Sequence, residues 1–340
     1  MESTMKNKYY IGLDVHKEQT TYAVRDRNGN IVAEGQAATK YADLQGLLQP
    51  YLKDSLIGVE ASTSYYTLYR MFLKNNYRIK VANTIQLRPA TAKNDVLDAQ
   101  RLSDMLRLGT FPEAYIPPED IQHLRSMVRV RHGIMEEKTR CNQRIQSLVD
   151  FNGLVMPPCG AFTKNWNHAL MQHIGSGSAS MELRHEWEHH KYLEGKQEQV
   201  DEEMKGYARK NWQKEYSILQ SITGIGSIVA CYAIANIHPI TRFANKRKLR
   251  RYAGVVPTFQ ESADTKSVGK IPKGSSRELL RWALVQAANA TAKTKTKLAK
   301  YYYKKKKQKR KTAAAKMAVA SSLCDIIYEV MTTGKPYIAV

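Results

Sequence analysis

The N-terminal third of the chain places three β-patterned runs in succession before helical and strand patterns begin to alternate, and that order narrows the fold more than any other feature. Residues 8–14 (Lys-Tyr-Tyr-Ile-Gly-Leu-Asp) read as a buried strand. Thr20 to Arg25 alternates as a second strand, and Ile31 to Gly35 returns as a third. Asp26-Arg-Asn-Gly-Asn30 supplies the turn between them, with a glycine able to take positive φ. Leu44, Leu47, Leu48 and Leu52 then fall at helical spacing. Leu56 to Glu60 is a short apolar strand ending in an acid. Tyr65 to Lys74 is helical, Arg78 to Ala82 is a further strand, and Leu97 to Leu108 is an amphipathic helix. The expectation is a mixed α/β layer whose parallel strands are joined by helical crossovers. This is the strand and helix order of the ribonuclease H-like fold, although several α/β folds share parts of it.

Beyond this region the pattern becomes helical. Ile121 to Val149 and Met181 to Tyr216 are long, charged and apolar at helical spacing, separated by Pro157-Pro158 and a Gly175-Ser-Gly-Ser178 turn. Two such helices predict an antiparallel hairpin or coiled coil, a common device for pairing subunits. Ile218 to Ile237 is apolar and interrupted by glycine, Arg277 to Thr294 reads as a helix, and an Ala-rich helix runs to Met331. The expected organisation is an α/β domain over 1–115, a helical connector over 116–215 and a mainly helical C-terminal domain over 216–340.

The charge is strongly one-sided. Lys and Arg number 53 against 31 for Asp and Glu, a net charge of +22. Between Asn236 and Lys311 there are 22 basic residues and three acids (Glu261, Asp264, Glu278), a local excess of +19. Such a field points to a polyanion, because neutralised phosphates release counterions. The four cysteines form no CxxC pair, and His spacing suggests no zinc site, so reduced thiols in a cytoplasm are expected. No apolar leader pattern follows Met1, and the apolar run from Ile222 to Ile237 is too short and glycine-broken for a membrane span.

Four acids stand where a site is expected. Asp14 closes the first strand and Glu60 the fourth; Asp95 and Asp98 lie three residues apart on one helical face. In a ribonuclease H-like sheet the first and fourth strands are neighbours, and the helix crosses their ends. Clustered carboxylates suit a hard cation such as Mg²⁺, and two such ions can hold the attacking and leaving oxygens of a phosphodiester. A lone Asp at a strand end is more often a cap or a solvated charge, and Asp104 on the same helix is read that way.

The basic region contains candidate phosphate contacts. Ile222-Thr-Gly224-Ile-Gly226 before an apolar helical run resembles a helix-hairpin-helix turn, whose amides can face a phosphate; a plain glycine turn before a buried helix is the alternative. Lys246, Arg247, Arg250 and Arg251 form one cluster, with Arg247 and Arg251 on one face. Lys304 to Lys311 form another, after Tyr301-Tyr-Tyr303, aromatics able to stack on bases. Lys266, Lys270, Lys273 and Arg277 follow Phe259-Gln-Glu-Ser262 and could stabilise charge developing around a serine nucleophile. On composition alone Ser267, Ser275 and Ser276 are equal to Ser262.

Taken together, Ile-Gly-Leu-Asp14-Val-His-Lys, Gly-Val-Glu60-Ala-Ser-Thr and Lys-Asn-Asp95-Val-Leu-Asp98-Ala resemble the three blocks of the DEDD insertion-sequence transposases, whose N-terminal domain is similar to the Holliday-junction resolvase RuvC. Ile-Thr-Gly-Ile-Gly226, Tyr-Ala-Gly-Val-Val-Pro257, Glu-Ser262 and Arg-Glu-Leu-Leu-Arg-Trp-Ala-Leu284 resemble the C-terminal blocks in the same order. The resemblance implies excision and insertion of DNA elements, in some members guided by a structured non-coding RNA. It implies Mg²⁺ ligation by Asp14, Glu60, Asp95 and Asp98, a covalent phosphoserine link through Ser262, donor and target DNA as partners, and a homo-oligomer, dimer or tetramer, in a bacterial cytoplasm. Two positions depart from the family pattern: Ala263 stands where Gly often follows the serine, and Ile-Pro-Lys-Gly274 where Ser-Lys-x-Gly is usual. A hydrolytic nuclease or junction resolvase using the acids alone is one rival, and a non-catalytic nucleic-acid-binding protein is another. No Arg…His-x-x-Arg…Tyr arrangement surrounds Tyr301 to Tyr303, which disfavours a tyrosine recombinase.

Overall fold

The computed structural model describes residues 7–61, 64–84, 86–87, 94–256, 259–262, 265–268, 278–309 and 312–338, with the backbone alone for 259–262, 265–268 and 309. The chain divides into two compact units, Met1–Pro117 and Pro118–Val340.

The first unit is a mixed α/β layer, compatible with the ribonuclease H-like fold. Strands β1 (Tyr9–Val15), β2 (Gln19–Asp26) and β3 (Ile31–Ala38) meander antiparallel. Helix α1 (Tyr41–Leu52), strand β4 (Ser55–Glu60), helix α2 (Tyr65–Lys74) and strand β5 (Ile79–Ala82) follow. The sheet order is β3-β2-β1-β4-β5, with β1, β4 and β5 parallel. Helix α3 (Asp95–Arg107) closes the unit.

Strand alternation divides this sheet into two unlike faces. Ile11, Leu13, Val15, Ile57 and Val59 point one way, into a core completed by Leu44, Leu48 and Leu52 of α1 and Leu68 and Phe72 of α2. The residues between them, Gly12 and Gly58, are register partners on the opposite face. There α3 lies so close that a Cβ on Gly12 would stand 2.0 Å from the Ala99 carbonyl oxygen, and one on Gly58 would stand 2.8 Å from Leu106 Cδ1. Only glycine permits that approach. Gln100 ties the helix down by donating to Glu34 at 2.7 Å.

The second unit is mostly helical. Helices α4 (Glu119–Phe151) and α6 (Met181–Gln220) run antiparallel, as the cross-pairs Arg131–Asp201, Lys138–Glu194 and Arg144–Glu186 require. Helix α5 (Lys164–Gly175), which periodicity did not suggest, packs Trp166 and Leu170 into a small core with Cys141, Ile145, Leu183 and Trp187. At the other end Ile121, Leu124 and Val128 of α4 and Met204, Trp212 and Tyr216 of α6 join a second, larger core. That core is completed by α7 (Ser227–Ile237), α8 (Lys246–Ala253), α9 (Glu278–Thr291), α10 (Lys297–Lys309) and α11 (Thr312–Thr333). Strands β6 (Phe259–Ser262) and β7 (Thr265–Val268) pair antiparallel between α8 and α9. The lysine run expected before the last helix is itself helical to Lys309, because Ala299 and Tyr302 of α10 are buried and fix the turn that carries the lysines. All four cysteines are free. No helix among the described residues is long and apolar enough to cross a membrane.

Candidate functional site

The sheet face that accepts α3 is also the face that carries acids. Gly12 and Asp14 are two residues apart on β1, and Gly58 and Glu60 are two apart on β4, so each acid points to the same side as its glycine. The parallel register, Leu13 opposite Val59, brings the two carboxylates to the same end of the sheet. Helix α3 starts there. Asn94 caps it by accepting a hydrogen bond from the Val96 amide at 3.0 Å, and Asp95 and Asp98 occupy its first turn, where the helix dipole favours anions.

The charge of the acids on α3 reaches both strand acids. Burial is the largest influence on Asp14 and raises its carboxyl above the ordinary range; His16 draws it back, while Asp95 and Asp98 push it up further. Glu60 is raised too, first by burial and then by Asp14 and Asp98, with Arg101 and His16 opposing. Like charges held together in a partly desolvated place are what a divalent cation would relieve, and an all-oxygen donor set of this kind suits a hard ion. Asp104, nearer the other end of α3, lies outside this group and pairs with Arg107 at 2.8 Å, the structural role its sequence position suggested.

One residue of the cluster escaped the sequence reading. His16 lies just past β1, and its Nε2 stands 3.3 Å from Asp14 Oδ2 and 3.5 Å from Asp95 Oδ1. One donor atom from each of Asp14, His16 and Asp95 falls within a 4.8 Å group that could hold a metal ion. The available signal was spacing, since His16 is two residues beyond Asp14 and so continues the same face of the strand.

The nucleic-acid candidates fall in the second unit, in unlike settings. Lys246, Arg247 and Arg251 are exposed on α8, which Asn245 caps by accepting from the Lys248 amide at 3.1 Å. Arg250 turns the other way, its Nε 3.2 Å from Asp325 Oδ1 of α11. Gly226 is exposed at the cap of α7, with nothing within 4 Å of where a Cβ would stand. Gly224 serves packing: at φ +94 it approaches α9 so closely that a Cβ would stand 2.1 Å from Thr291 Oγ1. Ser262 is the last residue of β6, and Lys266 lies in β7. Lys270, Lys273 and Arg277 lie outside the described residues. On α10, Tyr302 is buried while Tyr303 is exposed, so Tyr303 is the member of the triplet that presents a ring to solvent.

Comparison with known proteins covers both units. Residues 11–152 match the DEDD transposase domain of IS110, and residues 216–304 match the transposase family IS116/IS110/IS902. The transposase for insertion sequence element IS1111A of Coxiella burnetii is 23% identical over 345 residues, spanning 98% of this chain and 92% of that protein. The transposase for insertion sequence element IS1328 of Yersinia enterocolitica is 21% identical, spanning 84% of each.

Proposed function

Since the chain belongs to the IS110 family of insertion-sequence transposases, enzymes whose substrate is DNA, we propose that it cuts and rejoins DNA through a serine–phosphate intermediate supported by Mg²⁺. The observation that carries this reading is the gathering of Asp14, Glu60, Asp95 and Asp98 at one end of the sheet, where Asp14 and Glu60 are raised first by burial and then by neighbouring acids. The strand order β3-β2-β1-β4-β5, with α3 across β1, favours a ribonuclease H-like, RuvC-like domain built around those acids. Asp14, Glu60, Asp95 and Asp98 hold the metal. When bound, Mg²⁺ supplies positive charge to offset that of the scissile phosphate.

Ser262 is the nucleophile. Its Oγ bonds to phosphorus as the bond from phosphorus to a deoxyribose oxygen breaks, the hydroxyl proton ends on that departing oxygen, and the phosphoester energy is kept for rejoining. Lys266, Lys270, Lys273 and Arg277 offset charge on the phosphoryl oxygens. Exposed Lys246, Arg247 and Arg251 track nucleic-acid backbone, and Gly226 presents the amides of a helix-hairpin-helix-like turn. A structured RNA encoded by the element guides target choice, and two or four copies of the chain act together; the family resemblance supports both, and the basic excess suits the RNA.

The test is to incubate the protein with labelled element-end DNA and divalent metal, denature it, and map any DNA-linked peptide. A covalent adduct on Ser262, absent from Ser262→Ala, is the expected result. Strand cleavage that persists in Ser262→Ala would replace this reading with hydrolysis by the acids alone.

A further inference from the structure

We infer that His16 Nε2 is a further ligand of the divalent ion at Asp14 and Asp95, and that it biases this site towards Mn²⁺ over Mg²⁺. The inference rests on the metal-site reading of the four acids given above. Its own footing is the placement of one imidazole nitrogen between two carboxylates on different elements, 3.3 Å from one and 3.5 Å from the other. Ligands on neighbouring positions of one small divalent ion, each about 2.1 Å from it, sit about 3 Å apart. Both distances from the imidazole nitrogen are therefore already close to the spacing of one coordination shell, and all three donors lie within 4.8 Å of one another.

The backbone beneath the ring is fixed. The His16 amide donates to the Gln19 carbonyl at 3.0 Å, and the Thr39 hydroxyl donates to the His16 carbonyl at 2.8 Å. Thr39 also lies 2.9 Å from the Thr20 hydroxyl, which anchors the turn to β2. Yet the side chain stays 58% exposed. The pair with Asp95 is exposed on both sides and contributes little stability, so it is a weak reason for so fixed a turn. Exposure on one side of the ring and carboxylates on the other suit a ligand that meets an incoming ion.

The chemical consequence follows from ligand type. Mg²⁺ prefers oxygen donors and gives up water reluctantly, whereas a nitrogen donor raises affinity along the first-row series beginning with Mn²⁺. Four carboxylates accept either ion; one imidazole added to them does not treat the two alike.

The experiment uses the full-length protein and Mn²⁺ itself. Free Mn²⁺ is followed by its aqueous electron paramagnetic resonance signal, Mg²⁺ is the competitor, and pulsed measurements look for ¹⁴N coupling to bound Mn²⁺. Wild type is expected to show nitrogen coupling. His16→Ala should lose it, bind Mn²⁺ on the order of 10-fold more weakly, and lose less of its Mg²⁺ affinity. Bound Mn²⁺ without nitrogen coupling, or coupling that survives in His16→Ala, would overturn the assignment while leaving the carboxylate site standing. Mn²⁺ binding unchanged in the double variant Asp95→Asn/Asp98→Asn, with helical circular dichroism intact, would remove the carboxylate site and this inference together.

Discussion

Asp14 shows at the residue scale how function opposes stability. Its folded-state carboxyl titrates above the ordinary value, with burial the first cause. A carboxyl shifted in that direction weakens the fold once ionised: the penalty is absent below the unfolded value of about 4 and fully present above the folded one. At neutral pH without metal, Asp14→Asn should therefore stabilise the protein, by about 1 kcal/mol, seen as a higher melting temperature in the presence of chelator. Wild type should gain thermal stability on addition of Mg²⁺ or Mn²⁺, and the variant should not. A variant that melts lower than wild type in chelator would mean that attraction to His16 outweighs burial and repulsion in the pocket. The positions of the four acids are legible in the sequence because each stands at a strand end or in a helix's first turn. His16 is not, because a histidine after a strand carries no pattern beyond its two-residue offset from Asp14.

The paired glycines carry the argument at the scale of elements. Gly-Leu-Asp14 and Gly-Val-Glu60 repeat one design, in which a missing side chain admits α3 and the acid two residues on meets it. Gly12→Ala forces the helix outward, because the obstacle is the backbone oxygen of Ala99 and no rotamer can yield. We expect a loss of about 3 kcal/mol and, in whatever remains folded, loss of divalent-metal stabilisation with all four acids still present. Unchanged metal-induced melting shifts in Gly12→Ala would separate the helix from the site. Long apolar periodicities made β1 to β5, α1 to α4 and α6 readable. Four elements hid for physical reasons. Helix α5 follows a Pro-Pro break and buries only Trp166 and Leu170. The β6–β7 hairpin runs through Phe-Gln-Glu-Ser and Thr-Lys-Ser-Val without an Asn-Gly or Asp-Gly turn. The lysines of α10 look like a solvated run because the burial that shapes them lies just upstream, at Ala299 and Tyr302. Glycines within strands read as weak points until a close helix explains them.

For the whole molecule the governing quantity is the net charge of +22, gathered towards the second unit. Nucleic-acid affinity should fall steeply with salt, because each phosphate contact contributes about 0.9 to the slope of log K against log salt. Arg247→Ala and Arg251→Ala should each flatten that slope by about one, measured by filter binding across a salt series. Arg250→Ala should leave the slope alone and lower thermal stability, since Arg250 faces Asp325. Equal slope changes for all three would show that the pair opens to meet phosphate. The interior of this unit also decides where the polypeptide can be parted. The opening turns of α4 and the closing turns of α6 are walled into the same apolar mass as the helices that follow them. A break between Tyr216 and Ile218 would tear through that mass and strand greasy surfaces on both fragments. The seam the architecture offers is the Pro117-Pro118 step, where the compact unit that holds Asp14, Glu60, Asp95 and Asp98 ends and the unit that carries most of the positive excess begins.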